Sequence, residues 1–385
     1  AGDLQTVRFR AEDADCELKA RWVIDASGIR CLLARANGWW RPNAEHPTLS
    51  CWSRWKGTGD WDGESLARKY PDLAATQVGI RGTATNHLLG EGWWAWWIAL
   101  KGGETSIGVV IDQRLNDWPG GDAPVGEKLR GFLSRHAAAQ EMLEGASFLD
   151  GDVHFRRNLP YFSEVQAGDG FVLTGDASAF LDPFYSPGMD WISFTVSSAV
   201  KMILTWRRKG DVAAEITRHN RDFTTSYRRM FEALYRGKYN YLGECDLMRL
   251  AFRLDVGLYY LFVARTVFLS GGEALTEPPY SHPNAWPIFR LMRLYNRRFA
   301  AIARLRQAEG RAGVESAGVR DLFGGFNFRA GLLVRIIARA LGCWLLLELR
   351  EGWRSWGKSG QRAECEAPGR CQESRLSAES LIAEN

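Results

Sequence analysis

The stretch GFVLTGDASAFLDPFYSPGMD, residues 170–190, decides how the chain is read. An apolar run, Phe171 to Leu173, stops at Gly175-Asp176, and the chain then passes through Pro183, Pro187 and Gly188 into text of helical pattern from Met189 onward. A strand that ends in Gly-Asp leaves a short carboxylate at the carboxyl edge of a sheet, which is where open α/β sheets bind their ligands. Pro187 sits where a first-turn proline is tolerated, because its missing N–H has no helical partner in any case. The helix that follows therefore aims its amino terminus, with free N–H groups and a positive dipole end, at whatever lies beyond Asp176. A capped core helix has the same local signature, and only the coupling to Gly175-Asp176 favours a ligand.

The same pattern occurs once more. VIDASG, residues 23–28, is a strand that delivers Asp25 and Gly28 at its carboxyl end. Glycine lets backbone approach a ligand closely, and aspartate accepts hydrogen bonds from hydroxyls, so a polyhydroxylated cofactor suits both segments. Either alone reads as an ordinary turn. Together, with a second sheet between them, they are more particular.

That intervening text is strand-rich. Residues 4–28 read as a hairpin and a strand, turning at AEDAD; from about 46 to 112 the pattern is again extended, with WWAWWIAL and TSIGVVID joined by a Lys101-to-Glu104 turn. This predicts a separate antiparallel sheet, covered by a helix over 127–143. Beyond 190 the periodicity is almost wholly helical, and the tail from Lys358 has the composition of disorder. The 17 tryptophans cluster at 39–40, 52–61 and 93–97; core packing and an aromatic wall around a flat ligand both remain open.

Composition excludes several classes. The formal net charge is only +4, from 49 Lys and Arg against 45 Asp and Glu, too balanced for nucleic acid as a partner. Seven scattered cysteines with no CxxC and no Cys/His spacing argue against a disulfide framework and against a metal site, and a reducing cytoplasm fits best. The apolar stretch AGLLVRIIARALGCWLLLEL carries Arg335 and Arg339 one helical turn apart, so a buried or interfacial amphipathic helix is expected rather than a spanning one; membrane-surface contact is the less favoured reading. His154, beside a basic pair, reads as a packing or surface residue, and His87, His136, His219 and His282 form no spaced set.

Residues 168–190 resemble the second FAD-contacting motif of the flavoprotein superfamily that includes p-hydroxybenzoate hydroxylase, geranylgeranyl reductases and flavin-dependent halogenases. The form GDA…FLDP…S.G is most similar to the halogenase-like branch. The resemblance implies FAD as cofactor, with Gly175 and Asp176 at the ribityl chain, Pro183 near the isoalloxazine ring, and backbone amides of Ser186, Pro187, Gly188 and Met189 as the segment facing the ring or a halide. Asp25, Ser27 and Gly28 carry over as cofactor-side positions. GWWAWWIAL resembles the WxWxIP motif at Trp94, Trp96 and Ile98, with Ala99 where that pattern has proline, and implies substrate-side positions there. Neither Lys56 nor Lys101 falls where the family's active-site lysine would, and no catalytic residue is assigned.

The chain opens in strand-like text without Met and carries no GxGxxG. The expectation is therefore an α/β, Rossmann-type FAD-binding domain of the p-hydroxybenzoate hydroxylase kind lacking its first βαβ unit, with an antiparallel β-sheet substrate domain and a helical carboxyl-terminal region. The expected boundaries are 1–35 and 156–205 for the FAD side, 36–155 for the antiparallel domain, 206–357 for the helices and 358–385 for the tail. The implied function is FAD-dependent, halogenase-like oxidation of an aromatic or electron-rich small molecule, a flavin reductase supplying reduced FAD. The alternatives are a reductase or monooxygenase of a lipid-like substrate and a non-catalytic remnant.

Overall fold

The computed structural model describes residues 4–71, 81–316 and 329–356. The expected tail from 358 lies outside them. The chain starts in a hairpin of β1 (Gln5–Ala11) and β2 (Ala14–Ala20), turning at Glu12-Asp13 with Glu12 at φ +52°. β3 (Val23–Asp25) leads to Gly28 and a short helix, Leu32–Ala36, and β4 (Trp40–Pro42) follows.

The antiparallel part is a six-stranded sheet in which β5 (Thr48–Lys56) is flanked by β10 (His154–Arg157) and β8 (Thr105–Asp112). β7 (Trp93–Ala99) and β6 (Thr85–Gly90) continue it, and β9 (Ser147–Phe148) adds to the end of β5. Successive side chains of a strand point to opposite faces, and β7 uses that period to serve two cores. Ala95 and Trp97 join Leu129, Phe132 and Met142 under helix α1 (Val125–Leu133), while Trp94 joins the large core of the helical part and Trp96 packs against it. The single helix expected over 127–143 is two, Val125–Leu133 and Ala137–Met142, because His136 adopts an extended backbone (φ −96°, ψ 122°) between them.

The chain then returns to β3. β12 (Ala167–Gly168) pairs with β13 (Phe171–Leu173), and β13 runs parallel to β3 with Leu173 opposite Asp25. Val172 and Leu173 are fully buried, as a strand covered on both faces requires. β11 (Tyr161–Ser163) pairs with β14 (Ala179–Phe180) and also with β4, so residues 40–42, read as part of the antiparallel domain, pair instead with the strands around the returning segment.

Five long helices follow: α2 (Pro187–Arg207), α3 (Val212–Met230), α4 (Cys245–Tyr259), α5 (Trp286–Ala308) and α6 (Ala330–Arg350). Asp211 caps α3 by accepting from Ala214 N at 2.9 Å. Both α3 and α4 run directly into a single π-helical turn, Phe231–Tyr235 and Tyr260–Ala264. Arg306 of α5, 1% exposed, ties the bundle through Glu244, Asp246 and Glu351. α6 buries Leu333, Ile337, Trp344 and Leu347, and leaves Arg335 and Arg339 exposed with Val334, Leu345 and Leu349. By length and composition alone it is the one helix among the described residues able to cross a membrane.

Candidate functional site

Parallel pairing of β3 and β13 brings their carboxyl ends side by side. Thr174 N donates to Asp25 O at 2.9 Å, which locks the two strand ends together. Gly175 then turns with φ +55° and donates its N–H to Thr195 Oγ1 of α2 at 2.8 Å. A Cβ here would lie 3.0 Å from Ile192 Cγ1, so both conformation and space call for glycine. Tyr161, from β11, donates its hydroxyl to the carbonyl of Asp176 at 2.8 Å, and Cys31 Sγ lies 3.6 Å from the same oxygen.

The Asp176 side chain is thereby aimed away from the sheet. Its carboxylate has no hydrogen-bond partner among the described residues, and Oδ1 lies 3.9 Å from where a Cβ on Gly188 would stand. Burial pushes its carboxyl above the ordinary range, and the charge of Arg156 on β10 opposes that shift. Asp176, Pro183, Ser186, Pro187, Gly188 and Met189 all line one cavity of about 300 Å³, with Trp191, Ile192 and Tyr227 also in its wall.

The loop that carries Pro183 is braced from below. Asp182, 1% exposed, accepts from Phe184 N at 2.9 Å and from Tyr239 OH at 2.8 Å, with His46 Nε2 2.8 Å from the same carboxylate. Trp94 Nε1 donates to Tyr239 OH at 2.8 Å. Trp94 is thus a core residue, its ring 5.1 Å from Phe184, rather than a wall for a ligand. Trp96 donates to Ser106 Oγ at 3.1 Å, and both it and Ile98 are half-buried on the same face of β7.

Two consecutive non-glycine residues, Tyr185 (φ +70°) and Ser186 (φ +55°), occupy the left-handed region immediately before α2. Such residues cost free energy and persist only where their surroundings over-determine them. Ser186 N donates to Pro183 O at 2.9 Å, and Tyr185 OH donates to Asp255 Oδ2 at 3.1 Å. Asp255 also accepts from Lys238 Nζ (2.5 Å), Tyr295 OH (2.7 Å) and Asn296 Nδ2 (3.0 Å), all buried. The bend that turns the amino terminus of α2 into the cavity is therefore anchored in the middle of the helical core.

Asp25, Ser27 and Gly28 do not line that cavity, although the turn at Gly28–Arg30 packs against the one at Gly175–Ala177. Asp25 and Ser27 line a separate concavity of about 590 Å³ at the end of β3. The Asp25 carboxylate is committed to backbone, accepting from Ser27 N (2.9 Å) and Leu33 N (2.8 Å), while Ser27 Oγ accepts from Leu32 N (3.1 Å). Both side chains cap the helix Leu32–Ala36, which corrects the expectation that Asp25 faces hydroxyls with a free carboxylate. Gly28 has φ +60° and open space where a Cβ would be. His154 stacks on Trp52 at 5.2 Å near Asp152 and does not line the Asp176 cavity.

Sequence reasoning missed Tyr161, Arg156 and the Lys238–Asp255–Tyr185 group. One signal stood in the text: nine of the eleven tyrosines fall within 185–295, a composition suited to an apolar space with hydroxyls at its edges.

No protein-family model matches the chain. Over 115 residues it is 33% identical to the flavin-dependent halogenase armH5 of Armillaria mellea, a match covering 29% of this chain and 22% of that protein. Over 202 residues it is 26% identical to the flavin-dependent halogenase otaD of Aspergillus niger, covering 48% and 37%. The matches thus span about a fifth to somewhat over a third of these curated relatives. Among solved structures, the halogenase PltM superposes with a TM-score of 0.60 at 17% identity, covering 89% of this chain and 68% of that one. The same protein in complex with phloroglucinol and FAD gives 0.59 at 17% identity, covering 88% and 69%. In sequence and in fold, the chain is flavin-dependent-halogenase-like.

Proposed function

We propose that the chain is the flavin- and substrate-binding body of an FAD-dependent halogenase, acting on an aromatic or otherwise electron-rich small molecule. The observation that carries this is one cavity in which a partnerless carboxylate, Asp176, faces the amino terminus of α2 across Gly188. The residues present suit FAD. Asp176 would accept from ribityl hydroxyls, Pro183 would lie against the ring, and the Gly188 amide in the first turn of α2 would face its negative edge or a halide, Met189 N already donating to Ser186 O at 3.3 Å. When bound and reduced, FAD would supply with dioxygen the oxidising power that converts halide into a halogenating agent. The chain's own residues would orient the cofactor, with Trp191, Ile192 and Tyr227 adding apolar surface to the cavity. The binding of phloroglucinol by PltM supports an aromatic substrate.

The finer fold reading belongs here too. We infer that the first βαβ unit, with its phosphate loop, is not carried by these residues. Support comes from the lack of a GxGxxG and from apolar side chains open to solvent beside β3 and α2: Ile24, Ile29 and Leu32, then Ile192, Val196 and Val200 along one stripe. A flavin reductase is the partner this reading implies. A reducing cytoplasm suits the buried free thiols of Cys31 and Cys51.

The test is an FAD titration of the purified chain by quenching of flavin fluorescence, with Asp176→Ala beside it. Saturable binding, weakened about tenfold or more in the variant, is expected for the loss of hydroxyl-to-carboxylate hydrogen bonds. Equal binding by both, or none by a chain that circular dichroism shows folded, overturns the assignment. Chloride- or bromide-dependent product with an added flavin reductase then separates halogenation from reduction or hydroxylation.

A further inference from the structure

Helix α6 and the turn that follows it present an apolar surface to solvent. The inner face of the helix, Leu333, Ile337, Ala340, Trp344 and Leu347, is buried, and α6 packs on α4. Residues three and four apart share a helix face, and on the opposite one stand Arg335, Arg339, Gly342, Leu346 and Leu349, all exposed. Val334 and Leu345 flank that stripe, and Leu349 is 75% exposed. A helix that puts one side into a core is expected to be polar on the other, and the outer side of the carboxyl-terminal half of α6 is not.

The turn extends this surface. Gly352 lies against Glu348, where a Cβ would collide with the carboxylate, so the chain leaves α6 tightly and carries Trp353 and Trp356 to the outside. Trp356 is 64% exposed, yet its indole N–H donates to Glu348 at 3.1 Å. Glu348 is itself fixed by two hydrogen bonds from Arg298, at 2.9 and 2.8 Å, and one from Trp344 at 3.0 Å. An exposed indole is thus held in place beside exposed leucines, the combination that an interfacial helix offers to a bilayer.

The charge on this surface has one sign. Residues 330–356 contain only two carboxylates, and both are taken: Glu348 by Arg298, and Glu351 by Arg306 and Arg311. Arg335, Arg339 and Arg350 are exposed and form no ion pair among the described residues. Leucine and tryptophan edged by unbalanced arginine complement an anionic lipid surface. A second copy fits poorly, because a two-fold pairing of this face would bring the arginines of both copies into one interface with no carboxylate of the segment to receive them.

We propose that residues 330–356 form a membrane-docking site that lies flat on an anionic bilayer, with Leu345, Leu346, Leu349, Trp353 and Trp356 at the boundary between headgroups and acyl chains and the arginines at the lipid phosphates. The helix docks and does not span, because its inner face stays in the core of the helical part. Docking does not rest on the flavin reading and needs no bound FAD.

The test is flotation of the whole chain, without FAD, on vesicles of phosphatidylcholine alone and of phosphatidylcholine with phosphatidylserine. The chain should float with the anionic vesicles, bind the neutral ones at least about tenfold more weakly, and come off as salt rises. An arginine near an anionic surface is worth about fivefold in affinity, so Arg335→Gln with Arg339→Gln should weaken binding about 25-fold. Leu346→Ser with Leu349→Ser changes only exposed side chains and should weaken binding at least about tenfold at unchanged circular dichroism, which separates insertion from charge attraction alone. In the unaltered chain, lipids with brominated acyl chains should quench part of the tryptophan emission, a readout that needs no variant to fold. Failure to float on the anionic vesicles, equal binding to both kinds, undiminished binding by the leucine pair, or absence of quenching overturns the proposal. So does a dimer in sedimentation equilibrium that the leucine pair abolishes, which would assign the face to a second copy.

Discussion

Replacing Lys238 with methionine tests whether the helical core sets the geometry of the cavity. The ammonium is fully buried, 2.5 Å from Asp255 Oδ2 and 3.1 Å from Asn296 Oδ1, with the rings of Tyr185 and Tyr241 5.3 and 5.1 Å away. Burial lowers its pKa and Asp255 pulls it back up. Methionine keeps the stem and deletes the charge, leaving Asp255 with only neutral donors: Tyr185, Tyr295 and Asn296. Two charge-assisted hydrogen bonds are lost at about 1.5–3 kcal/mol each, which agrees with the about 3–5 kcal/mol measured when one partner of a buried pair is removed.

Urea unfolding followed by tryptophan fluorescence gives the free energy by linear extrapolation. The pair Lys238→Met and Asp255→Leu should cost less together than the sum of the two alone, with a coupling above about 1.5 kcal/mol. Asp255→Leu also removes the acceptor of Tyr185 and with it one restraint on the left-handed pair 185–186, each worth about 1–3 kcal/mol of strain. It should therefore weaken FAD binding more than Lys238→Met does. A Lys238→Met chain within about 1 kcal/mol of the parent, or strict additivity in the double variant, refutes the argument.

Two further outcomes follow from single residues. Gly175→Ala should destabilise by about 1–2 kcal/mol or more, since φ is +55° and the new Cβ meets Ile192, whereas Gly28→Ala at φ +60° in open space should cost only the backbone part; equal losses in urea unfolding would contradict this. His219, 1% exposed and 2.8 Å from Ser198 Oγ through Nδ1, has its pKa lowered to about 3 by burial. The unfolded chain then binds the extra proton, so stability falls as pH drops below about 6.5, by about 2 kcal/mol at pH 5. His219→Gln should remove that part of the slope, and an unchanged slope would show that His219 is not its source.

What the text made legible was local. Gly175-Asp176 and VIDASG are punctuation at strand ends, Pro187 marks a first helical turn, and the alternation of 93–99 is read directly from the order of residues. The roles that escaped depend on partners that meet only after packing. Asp25 looks like Asp176 in sequence, yet Leu33 N and Ser27 N take its carboxylate, because the chain after β3 coils back over its own strand end. Trp94 reads equally as core or as wall until Tyr239, far along the chain, supplies the oxygen that holds its indole in the core. His136 breaks a helix that periodicity would continue through it.

The loop from Pro183 to Gly188 shows why motif and site are not the same thing. Its sequence announces a backbone that approaches a ligand, and nothing in it announces two cavities. The left-handed turn at Tyr185 and Ser186 sends one side chain back to Asp255 while the next residues line both spaces. A change at Ser186, Pro187 or Met230 therefore moves both walls at once, that of the cavity at Asp176 and that of a second, of about 330 Å³, which Asp255 lines, whereas Asp176 lines only the first cavity. Separating the two spaces experimentally therefore rests on Asp176, which the motif does contain.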